Sequence, residues 1–276
     1  SMWWREFWVD ARRLYLGIQR DLGGSEVVLQ AGTTAERVSP PRRPSAPASP
    51  ETPAASRAET PAVRRDWREG APPIPGSGLV ITIPAPDILA AGPDYSSLEE
   101  IAAAVAKCTR CVLCDGRTNT VPGEGNPQAR LLCVGEGPGE TEDRTGRPFV
   151  GRAGELLTGI LAAIELPREQ VFIANVVKCR PPQNRKPLPG EMTACLPYLQ
   201  AQLRLIRPTV ILALGATAAE ALLGVRRSLG ELRNKVHRYD GVPLVVTYHP
   251  AALLRNPNWK KPTWDDVRIA RQLLDA

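Results

Sequence analysis

No run of the sequence reaches the roughly 20 consecutive apolar residues that a membrane-spanning helix needs, so no membrane partner is expected. The opening SMWWREFWVDARRLYLG carries charge throughout, which rules out the apolar core of a secretory signal. Ser1 ahead of Met2 reads as a cloning remnant. A reducing, cytoplasmic setting is therefore expected, where clustered cysteines read as metal or iron–sulfur ligands rather than disulfides. The loop GEGPGE (135–140) lacks a following GKS or GKT and the third glycine of a dinucleotide fingerprint, so both phosphate-binding readings fall. Histidine is scarce: only His237 and His249 occur, and phenylalanine appears three times. His237, in the charged segment RNKVHRYDG, reads as a surface residue.

What is present divides the 276 residues into three zones. Residues 2–32 are expected to form a helical extension with Trp3, Trp4, Phe7, Trp8 and Tyr15 as an aromatic side, docked on the main domain or else contacting a protein partner or DNA. Residues 33–78 turn to Pro, Ala, Ser, Arg and Glu, a composition with too little apolar surface to offset the entropy of ordering, and read as a disordered linker. From 79 to 276 the chain alternates. LLCVG (131–135), VFIANVV (171–177), TVILALG (209–215) and PLVVTYH (243–249) are strand-length apolar runs, separated by helical patterns at 151–164, 190–206 and 216–224 and followed by a final helix. Such alternation predicts an α/β three-layer sandwich, a central, mostly parallel four-stranded sheet flanked by helices. Ser97 with Glu100 predicts a capped helix leading to Cys108.

Ligands of open α/β sheets bind beyond the carboxyl ends of the strands. Those ends carry GEGPGE, Asn175, Gly215 and His249, which should converge on one cleft. The net charge of +6 favours a polyanionic partner without proving one. In CTRCVLC, Cys108, Cys111 and Cys114 recur every third residue, and Cys179 and Cys195 flank a proline-rich loop. A four-thiolate site suits that set, with zinc and iron–sulfur both open. Cys133, inside LLCVG, reads as a buried small hydrophobe.

Several long motifs in series carry more weight. CTRCVLC, then GRTNTVPGEGNPQARLLCVGEGPGETEDRTGRPFVGRAG, IANVVKCRPPQNRKPLPGEMTAC and YHPAALLRNP together resemble the family 4 uracil-DNA glycosylases, iron–sulfur members of the uracil-DNA glycosylase superfamily. The resemblance covers roughly residues 97–274. It implies a [4Fe-4S] cluster on Cys108, Cys111, Cys179 and Cys195, leaving Cys114 outside the set.

It also implies an activity: flipping uracil out of single- or double-stranded DNA and hydrolysing its N-glycosidic bond, in base excision repair. In that reading Asn175 reads the uracil edge, donating to O4 and accepting from N3–H, where cytosine presents the opposite pattern. Phe149 stacks on the flipped base, and His249 donates to O2 as the leaving uracil gathers charge. Gly135, Glu136 and Gly137 shape the pocket, Glu136 mainly through its backbone, while Glu142 lines it and excludes thymine or positions water; Glu136 and Glu142 are the candidate catalytic carboxylates. Leu253 or Leu254 fills the gap in the duplex, and Arg255, Arg180 and Arg185 contact phosphate. Lys186, Lys260 and Lys261 offer further basic contacts. No lysine occupies an evident nucleophile position, so strand cleavage is not expected. The chain is expected to act as a monomer. The alternatives are an iron–sulfur nucleic-acid-binding or redox-sensing protein without catalysis, and a relative that crosslinks to abasic DNA through a histidine. The histidine-free loop after Cys179 argues against the latter.

Overall fold

The computed structural model describes residues 66–82 and 94–276. The expected N-terminal helix, and the expected linker as far as residue 65, lie outside the described residues.

Four parallel strands form the middle of the sheet, in the spatial order Phe172–Asn175 (β4), Leu131–Gly135 (β3), Val210–Leu214 (β5) and Val242–Thr247 (β7). These are the four apolar runs of the sequence. Every residue of β3, β4 and β5 is buried, as a strand covered on both faces must be. The sheet nevertheless has seven strands, not four. Ser77–Ile81 (β1) and Val236–Tyr239 (β6) extend it beyond β7, and Glu124–Gly125 (β2) pairs antiparallel with β4 at the opposite edge.

β1 moves the expected linker boundary. Residues 66–78 are not tether: Trp67 is buried, and guanidinium groups of Arg68 and Arg271 lie 4.5 and 5.0 Å from its ring centroids. The side chains of Arg268 and Gln272 donate to the carbonyls of Glu69 and Pro72 at 3.1 and 2.9 Å. One buried indole and a few backbone hydrogen bonds hold a segment whose composition alone predicts disorder.

His237 is corrected as well. It is buried in β6, where Nδ1 accepts from the Leu79 amide at 3.0 Å and Nε2 lies 2.7 Å from the Leu232 carbonyl. Those partners place the ring proton on Nε2. A Cβ on Gly78 would come within 2.5 Å of Nδ1, so this imidazole fits against β1 only because residue 78 has no side chain.

Helices cover both faces. Leu98–Ala106 (α1) starts on Ser97, whose hydroxyl accepts from the Glu100 amide at 3.2 Å, while the Glu100 carboxylate reaches back to Ser96. Pro189–Ile206 (α4) runs unbroken through Pro197. Arg152–Ala163 (α3), Ala216–Leu223 (α5) and Lys260–Asp275 (α8) complete the main layers. Two buried clusters fill the two sides of the sheet, one packed by α1, α4 and α5, the other by α3 and α8. Among the described residues no helix is long and apolar enough to cross a membrane.

Candidate functional site

Because the central strands are parallel and in register, their carboxyl ends form one row. Gly135 pairs with Asn175, and Leu214 with Thr247, so the residues that follow stand side by side. Asn175 closes β4, Glu136 follows β3, Gly215 follows β5, and His249 lies two residues beyond β7.

The Asn175 side chain is buried, and its Oδ1 accepts no hydrogen bond among the described residues. Buried polar atoms are nearly always paired, and leaving one unpaired costs about 1–3 kcal/mol. Such an atom at a strand tip is an acceptor held ready for a donor. A Cβ on Gly135 would lie 2.4 Å from this Oδ1 and 2.5 Å from Cζ of Phe149, so glycine is required for the two groups to close on the strand end.

Phe149 faces His249, with ring centroids 5.4 Å apart and planes tilted by 32°. His249 caps the short helix Pro250–Arg255 (α7): its Nδ1 accepts from the Ala251 amide at 3.2 Å. Burial, reinforced by the positive charge of Arg255, lowers its pKa to about 4. The ring is therefore neutral near pH 7 and carries its proton on Nε2. Gly215, at φ +94°, leaves only 3.0 Å between a would-be Cβ and the Cβ of His249, so β5 also yields space to the histidine.

The two carboxylates suggested by the sequence sit differently. Glu142, in the helix Glu140–Thr145 (α2), accepts three backbone amides: Val150 at 2.9 Å and Gly151 at 2.8 Å on Oε1, and Gly139 at 3.1 Å on Oε2. It ties the GEGPGE loop to the Phe149 loop. Glu136 accepts a single side-chain hydrogen bond, from the Thr217 hydroxyl at 2.5 Å. Gly137 packs against Val177, which a Cβ there would meet at 2.7 Å.

The nucleic-acid candidates separate by exposure. Leu253 is buried, whereas Leu254 is 42% exposed beside exposed Arg255. Arg185 is committed to Glu191 through two hydrogen bonds of 2.8 and 2.6 Å. Arg180 donates to Asn184 at 2.8 Å and lies 3.5 Å from Glu140. Lys186 pairs with Glu220 and Lys261 with Asp265.

Cys108, Cys111, Cys114, Cys179 and Cys195 line one cavity, together with Arg110, Arg117 and Lys178 and with no carboxylate. Among the described residues no three His, Cys, Asp or Glu side chains are placed to hold a single metal ion. The thiols surround a space instead, a donor set suited to a polynuclear, negatively charged group. Arg117 donates to the Cys179 sulfur, and the Lys178 amide to that of Cys195, both at 3.3 Å. The Cys114 thiol turns aside to Asp115 at 3.2 Å. Cys133 is fully buried, and burial raises its pKa to about 12, as a core residue requires.

Three side chains with clear parts in this geometry escaped sequence reasoning. Thr217 orients Glu136. Arg168 donates to the carbonyls of Phe149, at 2.9 Å, and Pro148. Fully buried Lys178 donates to the Asn175 carbonyl at 2.9 Å and to Gln202 at 2.7 Å, and burial lowers its pKa to about 8. Only Lys178 left a signal, as a charge inside the apolar run VFIANVVKC.

The family model described as "Uracil DNA glycosylase superfamily" matches residues 122–270. A type-4 uracil-DNA glycosylase of Thermotoga maritima is 52% identical over 181 residues, covering 64% of this chain and 94% of the relative. One from Sulfurisphaera tokodaii is 47% identical over 186 residues, covering 64% and 84%. A type-5 uracil-DNA glycosylase of Thermus thermophilus is 38% identical over 149 residues, covering 47% and 68%.

Proposed function

The chain belongs to the uracil DNA glycosylase superfamily, and from that membership we infer that it excises uracil from DNA, hydrolysing the N-glycosidic bond in DNA repair. It is a DNA N-glycosylase with the type-4 proteins as its relatives. The observation that best supports a uracil-reading pocket is the buried, unpaired Oδ1 of Asn175. Uracil N3–H is a donor of the required kind, while the unprotonated cytosine N3 would set acceptor against acceptor.

In our reading the base leaves the stack and enters between Phe149 and the strand tips. Asn175 accepts from N3–H and donates to O4. Phe149 stacks on the ring, adding on the order of 1–3 kcal/mol without much selectivity. The Nε2–H of His249 donates to O2, where negative charge grows as the glycosidic bond stretches. A neutral donor suffices, because the hydrogen bond strengthens with the developing charge and no proton need move. The sugar becomes oxocarbenium-like and water captures it. Glu136, aimed by Thr217, is the carboxylate we assign to that water. Glu142, with both oxygens taken by backbone amides, we assign to positioning.

Cys108, Cys111, Cys179 and Cys195 would hold a [4Fe-4S] cluster, whose contribution is to staple the end of α1 to the segment after β4, at Cys179, and to α4, at Cys195. Asn175 is two hydrogen bonds from that staple, through Lys178. Exposed Leu254 would enter the gap in the duplex, with Arg255 on phosphate; Leu253, being buried, is set aside. Arg180 and Arg185 would reach phosphate only by loosening their present pairs. A tether before residue 66, and a partner for the N-terminal segment, stay proposals outside the described residues.

The test is incubation with an oligonucleotide carrying one uracil, followed by alkaline cleavage, beside thymine and cytosine controls. Cleavage at uracil alone is expected, with Asn175→Ala inactive. Uracil release by neither protein would overturn the assignment.

A further inference from the structure

Phe149 has φ +51°, a left-handed conformation uncommon for a bulky side chain and usually kept only where the surroundings enforce it. Three sets of atoms enforce it here. The amides of the two residues after it are fixed by Glu142. A Cβ on Gly154 would fall 1.9 Å from the Phe149 carbonyl oxygen, so α3 packs directly on that peptide. The third set is the guanidinium of Arg168, 13% exposed, with Nη1 on the Phe149 carbonyl at 2.9 Å and Nη2 on the Pro148 carbonyl.

Arg168 has its own outer support. Glu124, on the edge strand β2, lies 3.8 Å from Arg168 Nε and receives Arg147 through two hydrogen bonds of 2.7 Å. Arg147 stands two residues before Phe149, so the ion network begins and ends on the same loop. Two carbonyls are held by a cation and two amides by a carboxylate. The ring on this peptide touches Gly135 and faces His249.

We propose that Arg168 is a positioning residue for uracil excision, setting the height of the Phe149 ring over the base through the Pro148 and Phe149 carbonyls. The proposal rests on the reading of Phe149 as the stacking platform. A guanidinium fork is suited to bridging two successive carbonyls, which an ammonium does less well. Arg168 touches neither base nor sugar, so its effect should vanish when the ring it positions is removed.

The experiment is a double-mutant cycle on the full chain, measuring half-saturation and maximal single-turnover rate on a uracil-containing oligonucleotide. Arg168→Met should lower the ratio of maximal rate to half-saturation by roughly 5- to 150-fold, the span expected for a lost base–aromatic stack. Most of the loss should fall on half-saturation, and Arg168→Lys should lie between. In a Phe149→Ala background, adding Arg168→Met should change the ratio less than about twofold. Effects that multiply in the double variant, or an Arg168→Met enzyme equal to the parent, would overturn the inference. Phe149→Ala with full activity would instead overturn the stacking reading itself. Should Arg168→Met fail to fold, Glu124→Gln takes its place. It should give a smaller loss in the same direction, also absent in the Phe149→Ala background, and a loss that persists there counts against the inference.

Discussion

The Ala251 amide donates to Nδ1 of His249 at 3.2 Å, which leaves the imidazole proton on Nε2 and facing away from its own helix. Protonation would set one N–H against another at Nδ1, in agreement with a pKa lowered to about 4. Excision should therefore show no loss around pH 6.5, where a free histidine titrates, and should fall only as pH approaches 4. Stability follows the same sign. Between about pH 6.5 and 4 the unfolded chain binds a proton at this residue that the folded chain does not, so stability declines as pH falls through that window. Single-turnover rates and denaturant midpoints across pH 4–8 check both, and a rate step near pH 6.5 that disappears in His249→Gln would contradict the neutral-donor account.

Asn175→Ala separates recognition from folding. Losing a donor–acceptor pair to the base should reduce excision at least about 100-fold, as removal of one oxyanion-type donor does in other enzymes. The buried Oδ1 has no partner among the described residues, so deleting it removes a cost of about 1–3 kcal/mol. The melting temperature should hold or rise. A large fall in melting temperature would show that Asn175 is structural.

The two carboxylates should respond in opposite ways. Glu142→Gln keeps an oxygen for the Val150 and Gly151 amides and should retain most activity, whereas Glu142→Ala frees three amides and should lose several kcal/mol of stability, about 1.5–3 kcal/mol for each bond to the charged group. Thr217→Val should leave stability nearly unchanged and lower the maximal rate by roughly 5- to 30-fold, a hydrogen bond of about 1–2 kcal/mol, with half-saturation unmoved. Chemical denaturation beside single-turnover kinetics distinguishes the patterns.

For the thiol cavity, Cys179→Ser and Cys195→Ser should each reduce bound iron and sulfide and lower the melting temperature. Cys114→Ser should do neither, because that thiol is turned to Asp115. Metal analysis of the purified variants decides it. Equal loss in all three would make Cys114 a ligand.

The central strands were legible because a strand covered on both faces must be apolar throughout, and β3, β4 and β5 are. The edge strands were not. β6 reads Val-His-Arg-Tyr, β2 has two residues, and β1 follows a proline-rich stretch, so none has the composition of a buried strand. Surface exposure was expected of His237 because its neighbours are charged; its burial depends on the Leu79 amide, 158 positions away. Periodicity put Asn175 and His249 at strand ends, but only the family resemblance gave them roles. Thr217 and Arg168 act through groups distant in sequence, or through main-chain carbonyls that no residue pattern encodes.

Gly135 places main chain against both the Asn175 amide and the Phe149 ring. That contact is made by backbone, and backbone cannot be recoloured by exchanging residues. Efforts to retune this protein toward bulkier lesions would gain little from altering Asn175 or His249 in place. They would have to displace the 147–151 loop as a unit, and so begin at its anchors rather than at Asn175 and His249.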